Sequence, residues 1–91
     1  MSDITKTDEL TALRAEIDRI DEELCLALKK RFQVVKKIGE YKKSVGLSVT
    51  DGGRESAVYE HIAPLFDNEN ERSAAKSIYL EIITRSKELQ K

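Results

Sequence analysis

Apolar residues recur three and four apart through residues 10–45: Leu10, Leu13, Ile17, Ile20, Leu24, Ala27, Val34 or Val35, Ile38, Tyr41 and Val45. That spacing draws one stripe along an α-helix, and only Gly39 interrupts a run that has no proline. The pattern predicts a single long helix. At about 1.5 Å per residue, roughly 36 residues reach about 54 Å, whereas a compact globule of this chain length is about 30 to 35 Å across. One copy of the remaining chain is too small to cover such a stripe, so the pattern predicts that a second copy does so.

The rest of the chain continues in the same idiom. Residues 1–8 are polar and aperiodic and predict a frayed leader, with Thr7 or Asp8 able to cap the first helix. Ser44 to Gly46 end that helix, Leu47 and Val49 are expected to tuck inward, and Thr50 or Asp51 caps a second helix that Gly52 and Gly53 open. From about Arg54, the residues Val58, Ile62, Leu65 and Phe66 share a face, and Pro64 predicts an end or a kink near Ala63. After a polar connector at 67–70, a third helix places Ala75, Ile78, Tyr79, Ile82 and Ile83 inward, continued by Ser86 and Gln90. Lys76, Glu81, Arg85 and Lys87 are expected outward. Strand-like alternation is absent, so the predicted fold is all-α, a three-helix chain forming one domain over residues 1–91.

Composition narrows the partners. The 91 residues fall near the size at which a lone core is marginal and association commonly supplies the missing burial. With 16 Lys and Arg against 17 Asp and Glu, the net charge of −1 argues against a nucleic-acid binder that depends on a general positive field. Most of these charges follow the helix macrodipole: the first half of the long helix is acidic outside its stripe and the second half basic. Cys25 is the one cysteine, which excludes an intramolecular disulfide; it reads as a packed thiol in a reducing cytoplasm. No apolar run approaches the length of a membrane span, and the start carries no signal-peptide pattern. His61, alone on a polar helix, has no metal-ligand spacing around it.

What remains is a set of polar residues on inward faces. Arg31 and Lys42 fall on the seam of the first helix, Glu55 near the start of the second, and Ser86 with Gln90 on the third. A cation on a buried face needs an anion. Arg31 and Lys42, eleven residues apart and so about 16 Å along the axis, have side chains long enough to close around one small anion. Arg14 lies about 25 Å from Arg31 along the same rod, beyond reach within one chain, but an antiparallel partner helix brings a second Arg14 there. The set describes a pocket for a small polyanion bearing carboxylates, with a hydroxyl or ether for Glu55 and Gln90 to recognise. Each residue singly also suits a structural helical dimer in which long side chains snorkel from the seam. Gly39, unfavourable by roughly 1 kcal/mol against alanine inside a helix, points to another backbone or a ligand passing close by.

These residues resemble the all-helical chorismate mutase family in order and spacing. The resemblance runs through Leu13-Arg14, Ile17-Asp18 and Asp21, then Arg31, Ile38-Gly39 and Lys42, then Val49, Asp51 and Arg54-Glu55, and finally Ile82-Ile83, Ser86 and Gln90, covering nearly the whole chain from about residue 10. It implies an intertwined six-helix homodimer with two active sites, each built from both protomers, that rearranges chorismate to prephenate without metal or cofactor. It further implies that Arg31 and the partner's Arg14 clamp two carboxylates, and that Lys42 and Gln90 address the ether oxygen. Glu55 and the backbone at Asp51 would hold the ring hydroxyl, Ser86 would line the carboxylate side, and Arg54 would support the site. An isochorismate-pyruvate lyase of the same fold, or a non-catalytic helical dimer, are the competing expectations; Glu55, placed for the chorismate hydroxyl, favours the mutase.

Overall fold

Helix α1, Ser2–Val45, is one uninterrupted element of 44 residues. The computed structural model describes residues 2–49 and 52–91, with side chains described over 8–49 and 53–91. Helix α2 follows over Gly52–Ile62, then a short 3₁₀ turn at Ala63–Leu65, then helix α3 over Glu69–Gln90. Among the described residues there is no strand. The three-helix, all-α expectation holds. The start of α1 differs: helix reaches back to Ser2, because residues 2–8 contain no proline or glycine to stop it, so Thr7 and Asp8 lie inside the helix rather than capping it. Thr50 and Asp51, the expected caps of α2, lie outside the described residues.

Each boundary has a local cause. At the C-terminus of α1, Gly46 adopts a positive φ of 75°, the Leu47 N–H donates to the Lys42 carbonyl at 2.8 Å, and the Gly46 N–H donates to the Lys43 carbonyl at 3.4 Å. This is the glycine-dependent cap that satisfies the last carbonyls of a helix. Helix α2 stops at Ile62 because Pro64 cannot donate its i→i−4 hydrogen bond; the chain tightens into the 3₁₀ turn and leaves it extended at Phe66. Asn68 then caps α3, its side chain accepting the Glu71 N–H at 2.8 Å. Arg72 Nε donates to the Ala63 carbonyl at 3.3 Å, fastening the first turns of α3 to the 3₁₀ turn.

The chain divides into two compact units, Met1–Arg31 and Phe32–Lys91. The first consists of helix alone, and its stripe is open: Leu10, Leu13, Ile17, Ile20 and Leu24 are between 47% and 59% exposed. Cys25, expected to be packed, is exposed for the same reason, since nothing in its own unit lies over this helix. In the second unit Val58 and Ile62 of α2 meet Ile83 of α3 as the core, with Tyr59 and Tyr79 against it, and Val35, Ala75 and Ser86 are also buried. Several expected inward residues are exposed: Ile38, Tyr41 and Val45 of the α1 stripe, and Leu47, Leu65 and Ile78. Leu65 is turned away because the tighter 3₁₀ turn breaks the α-helical register with Val58 and Ile62. Leu47 follows the left-handed Gly46 that reverses the chain, and Ile78 lies at the edge of the α3 stripe.

Gly39 is buried against the end of α3. A methyl group at its Cα would sit 2.7 Å from the Gln90 carbonyl oxygen and 2.8 Å from the Gln90 Cα, so the neighbour anticipated from the sequence is another backbone. Alanine at this position gains about 1 kcal/mol of helix propensity but overpacks two backbones, which typically costs about 1 to 3 kcal/mol. We therefore expect Gly39→Ala to be less stable than wild type in denaturant titration. Equal or greater stability would show that these backbones are not held in contact.

Candidate active site

The contact at Gly39 delivers the last residue of α3 to α1. One turn along α1, Lys42 Nζ donates to Gln90 Oε1 at 3.0 Å and to the Val49 carbonyl at 3.1 Å. Sequence spacing placed Lys42 and Gln90 on inward faces of different helices; the fold brings them into direct contact. An ammonium only donates, so Lys42 fixes the amide orientation of Gln90: Oε1 faces the lysine, and the Nε2 donors are directed elsewhere. Of the three N–H bonds of Lys42, Gln90 and Val49 take two. The pair thus combines a positive donor and a neutral donor in one half-buried place, which suits an oxygen that carries or develops negative charge.

Ser86, one turn before Gln90 on α3, is buried, and its Oγ donates to the Ile82 carbonyl at 2.6 Å. Glu55 sits in the first turn of α2, where the helix dipole favours an anion, and forms an ion pair with Lys87 of α3. This corrects the expectation for Lys87, which the α3 pattern placed outward. Its position directly after Ser86 and three residues before Gln90 puts it on the flank of the inward face, and the Glu55 carboxylate draws it in. That flank position, opposite an acidic residue on a neighbouring helix, was the available signal. Arg54 is exposed. Of the two candidate-site arginines in the first unit, Arg31 is half-buried and Arg14 is exposed. Asp51 lies outside the described residues.

A concavity between α2, the 3₁₀ turn and the start of α3 contains none of the anticipated site residues. Tyr59, Phe66 and Ala75 line it, with Lys76 Nζ 5.7 Å from the centre of the Tyr59 ring. Among the described residues, no three His, Cys, Asp or Glu side chains converge as a metal site, and no helix is long and apolar enough to cross a membrane.

Residues 13–91 match the family described as chorismate mutase type II. The chain belongs to the chorismate mutase type II family. The matched stretch takes in every residue of the candidate site, from Arg14 to Gln90. Among similar proteins, a bifunctional chorismate mutase/prephenate dehydratase of Aquifex aeolicus is 38% identical over 88 residues, which cover 92% of this chain and 24% of that protein. A chorismate mutase of Methanocaldococcus jannaschii is 28% identical over 85 residues, covering 92% of this chain and 86% of that one. This chain thus spans about a quarter of the bifunctional relative and most of the shorter one. The solved structure of a conserved hypothetical protein from Pyrococcus furiosus superimposes with a TM-score of 0.75 at 32% identity, covering 90% of this chain and 95% of that chain.

Proposed function

We propose that this family member is a chorismate mutase that rearranges chorismate to prephenate by binding the substrate folded and stabilising charge on its ether oxygen. The observation that carries the reading is the contact between Lys42 and Gln90. As the carbon–oxygen bond breaks ahead of full carbon–carbon bond formation, negative charge gathers on the ether oxygen. Fixed donors aimed there lower the barrier because they bind the transition state better than the ground state. The free N–H of Lys42 and the Nε2 donors of Gln90 supply that role, and the reaction needs no nucleophile or cofactor.

Carboxylate recognition completes the site. Arg31 takes one carboxylate, Arg14 of the partner subunit takes the other, and Ser86 lines that side. Glu55 and the backbone at Asp51 receive the ring hydroxyl, with Arg54 supporting them. Holding the flexible side chain over the ring in this way lowers the barrier by orientation. The open stripe from Leu10 to Leu24 supports an intertwined homodimer of three-helix chains, since one protomer leaves it uncovered. The charge pattern and single cysteine support a cytoplasmic protein without nucleic-acid or membrane partners. A lyase acting on isochorismate is the second reading, and Glu55 favours the mutase over it.

Incubation of the purified protein with chorismate, and separately with isochorismate, tests the assignment: prephenate from chorismate is expected, whereas salicylate and pyruvate from isochorismate would move it to the lyase. Lys42→Ala and Gln90→Ala are each expected to lose about 100-fold or more in kcat, as when one oxyanion donor is removed; near-normal turnover in both would refute the mechanism. Because the primary amide of Gln90 does not titrate, turnover is expected to change little with pH around neutrality, and a steep dependence there would assign the ether contact to another group. Mixing supplies the architectural test. Arg14→Ala and Arg31→Ala chains, each inactive alone, should recover roughly a quarter of wild-type activity on co-refolding, because half of the dimers then carry one intact composite site. An absence of recovery would mean that each site is built within one chain.

A further inference from the structure

Lys87 is an unassigned cation beside the residues just described. On α3, Lys87 precedes Gln90 by three residues, so the two side chains leave the helix on neighbouring rows about 4.5 Å apart along its axis. Each engages a different element: Gln90 meets Lys42 of α1, and Lys87 meets Glu55 of α2. Both members of the second pair are drawn in from solvent, with side-chain exposures of 32% for Lys87 and 28% for Glu55, and Glu55 Oε1 is buried.

We infer that Lys87 is a positioning residue for substrate hydroxyl recognition, acting through Glu55. The inference rests on the mutase reading, in which the substrate is a dianion and Glu55 accepts a hydrogen bond from its ring hydroxyl. A carboxylate alone at such a place repels a dianion and is free to change rotamer. The Lys87 ammonium removes both obstacles, because it neutralises the charge and holds one oxygen, while a carboxylate has a second oxygen with which to accept the hydroxyl. Half-exposed ion pairs contribute little to stability, typically below about 1 kcal/mol, so the pair's main consequence falls on binding rather than on folding.

The test is steady-state kinetics with chorismate on Lys87→Met and on Lys87→Gln, which keeps a donor without the charge, each alone and combined with Glu55→Gln. KM is expected to rise roughly fivefold to tenfold in both single variants while kcat stays within about twofold, with Lys87→Arg near wild type. In the Glu55→Gln background, where there is no carboxylate to neutralise or hold, Lys87→Met should change KM little further. A wild-type KM in the Lys87 single variants overturns the inference and leaves the mutase reading standing. The same KM increase with and without Glu55→Gln also overturns it, since Lys87 would then act on the substrate directly. A wild-type protein that produces no prephenate overturns the mutase reading and the inference together.

Discussion

The close approach of two backbones, α1 at Gly39 and α3 at Gln90, is the constraint on which the candidate site depends. A side chain at position 39 would hold the helices apart, and a glutamine at the last residue of a helix has little else to fix it. With glycine on one side, the end of α3 lies against α1, and Lys42 is one turn away with its ammonium on the Gln90 amide. The cap at Gly46 secures the other side of this arrangement, because the Leu47 N–H donates to the Lys42 carbonyl, so the same residue anchors the helix end with its backbone and the candidate site with its side chain.

The apolar core and the candidate site are spatially divided within the second unit. The packed core is formed by Val58, Ile62 and Ile83 with two tyrosines, at the α2–α3 crossing, and contains no charge. The polar residues of the candidate site on α3 occupy its C-terminal turns, where Ser86, Lys87 and Gln90 present three different donor groups in succession. Helix α3 thus serves both regions with one face that changes character along its length. The first unit is a helix with an exposed apolar stripe and no core of its own.

Much of this is legible in the residues. Three helices, the Pro64 interruption, the glycine turn after Val45 and a close neighbour at Gly39, backbone or ligand, all follow from local rules, since proline, glycine and periodicity act within a few residues of themselves. Lys42 and Gln90 are identifiable as polar positions on apolar faces for the same reason. What periodicity does not convey is which inward polar residues meet, because that depends on the offset between helices that are distant in sequence. Lys87 is the clearest case: its own helix assigns it to the flank, and only the position of Glu55 on α2 turns it inward. Leu65 shows the converse, an apolar residue on the expected face that a change from α to 3₁₀ pitch carries into solvent.

The three-residue interval between Gly39 and Lys42 has a consequence for how this sequence can vary in length. One member of the interval offers an absence of side chain and the other a long cation, and both address the same glutamine. Each residue turns a helix by about 100°, so inserting or deleting a single residue between them would swing the ammonium to a different side of α1 while leaving helicity and composition almost untouched. Length changes are therefore disfavoured within this turn of α1, which behaves as a fixed ruler between two points that address the same glutamine.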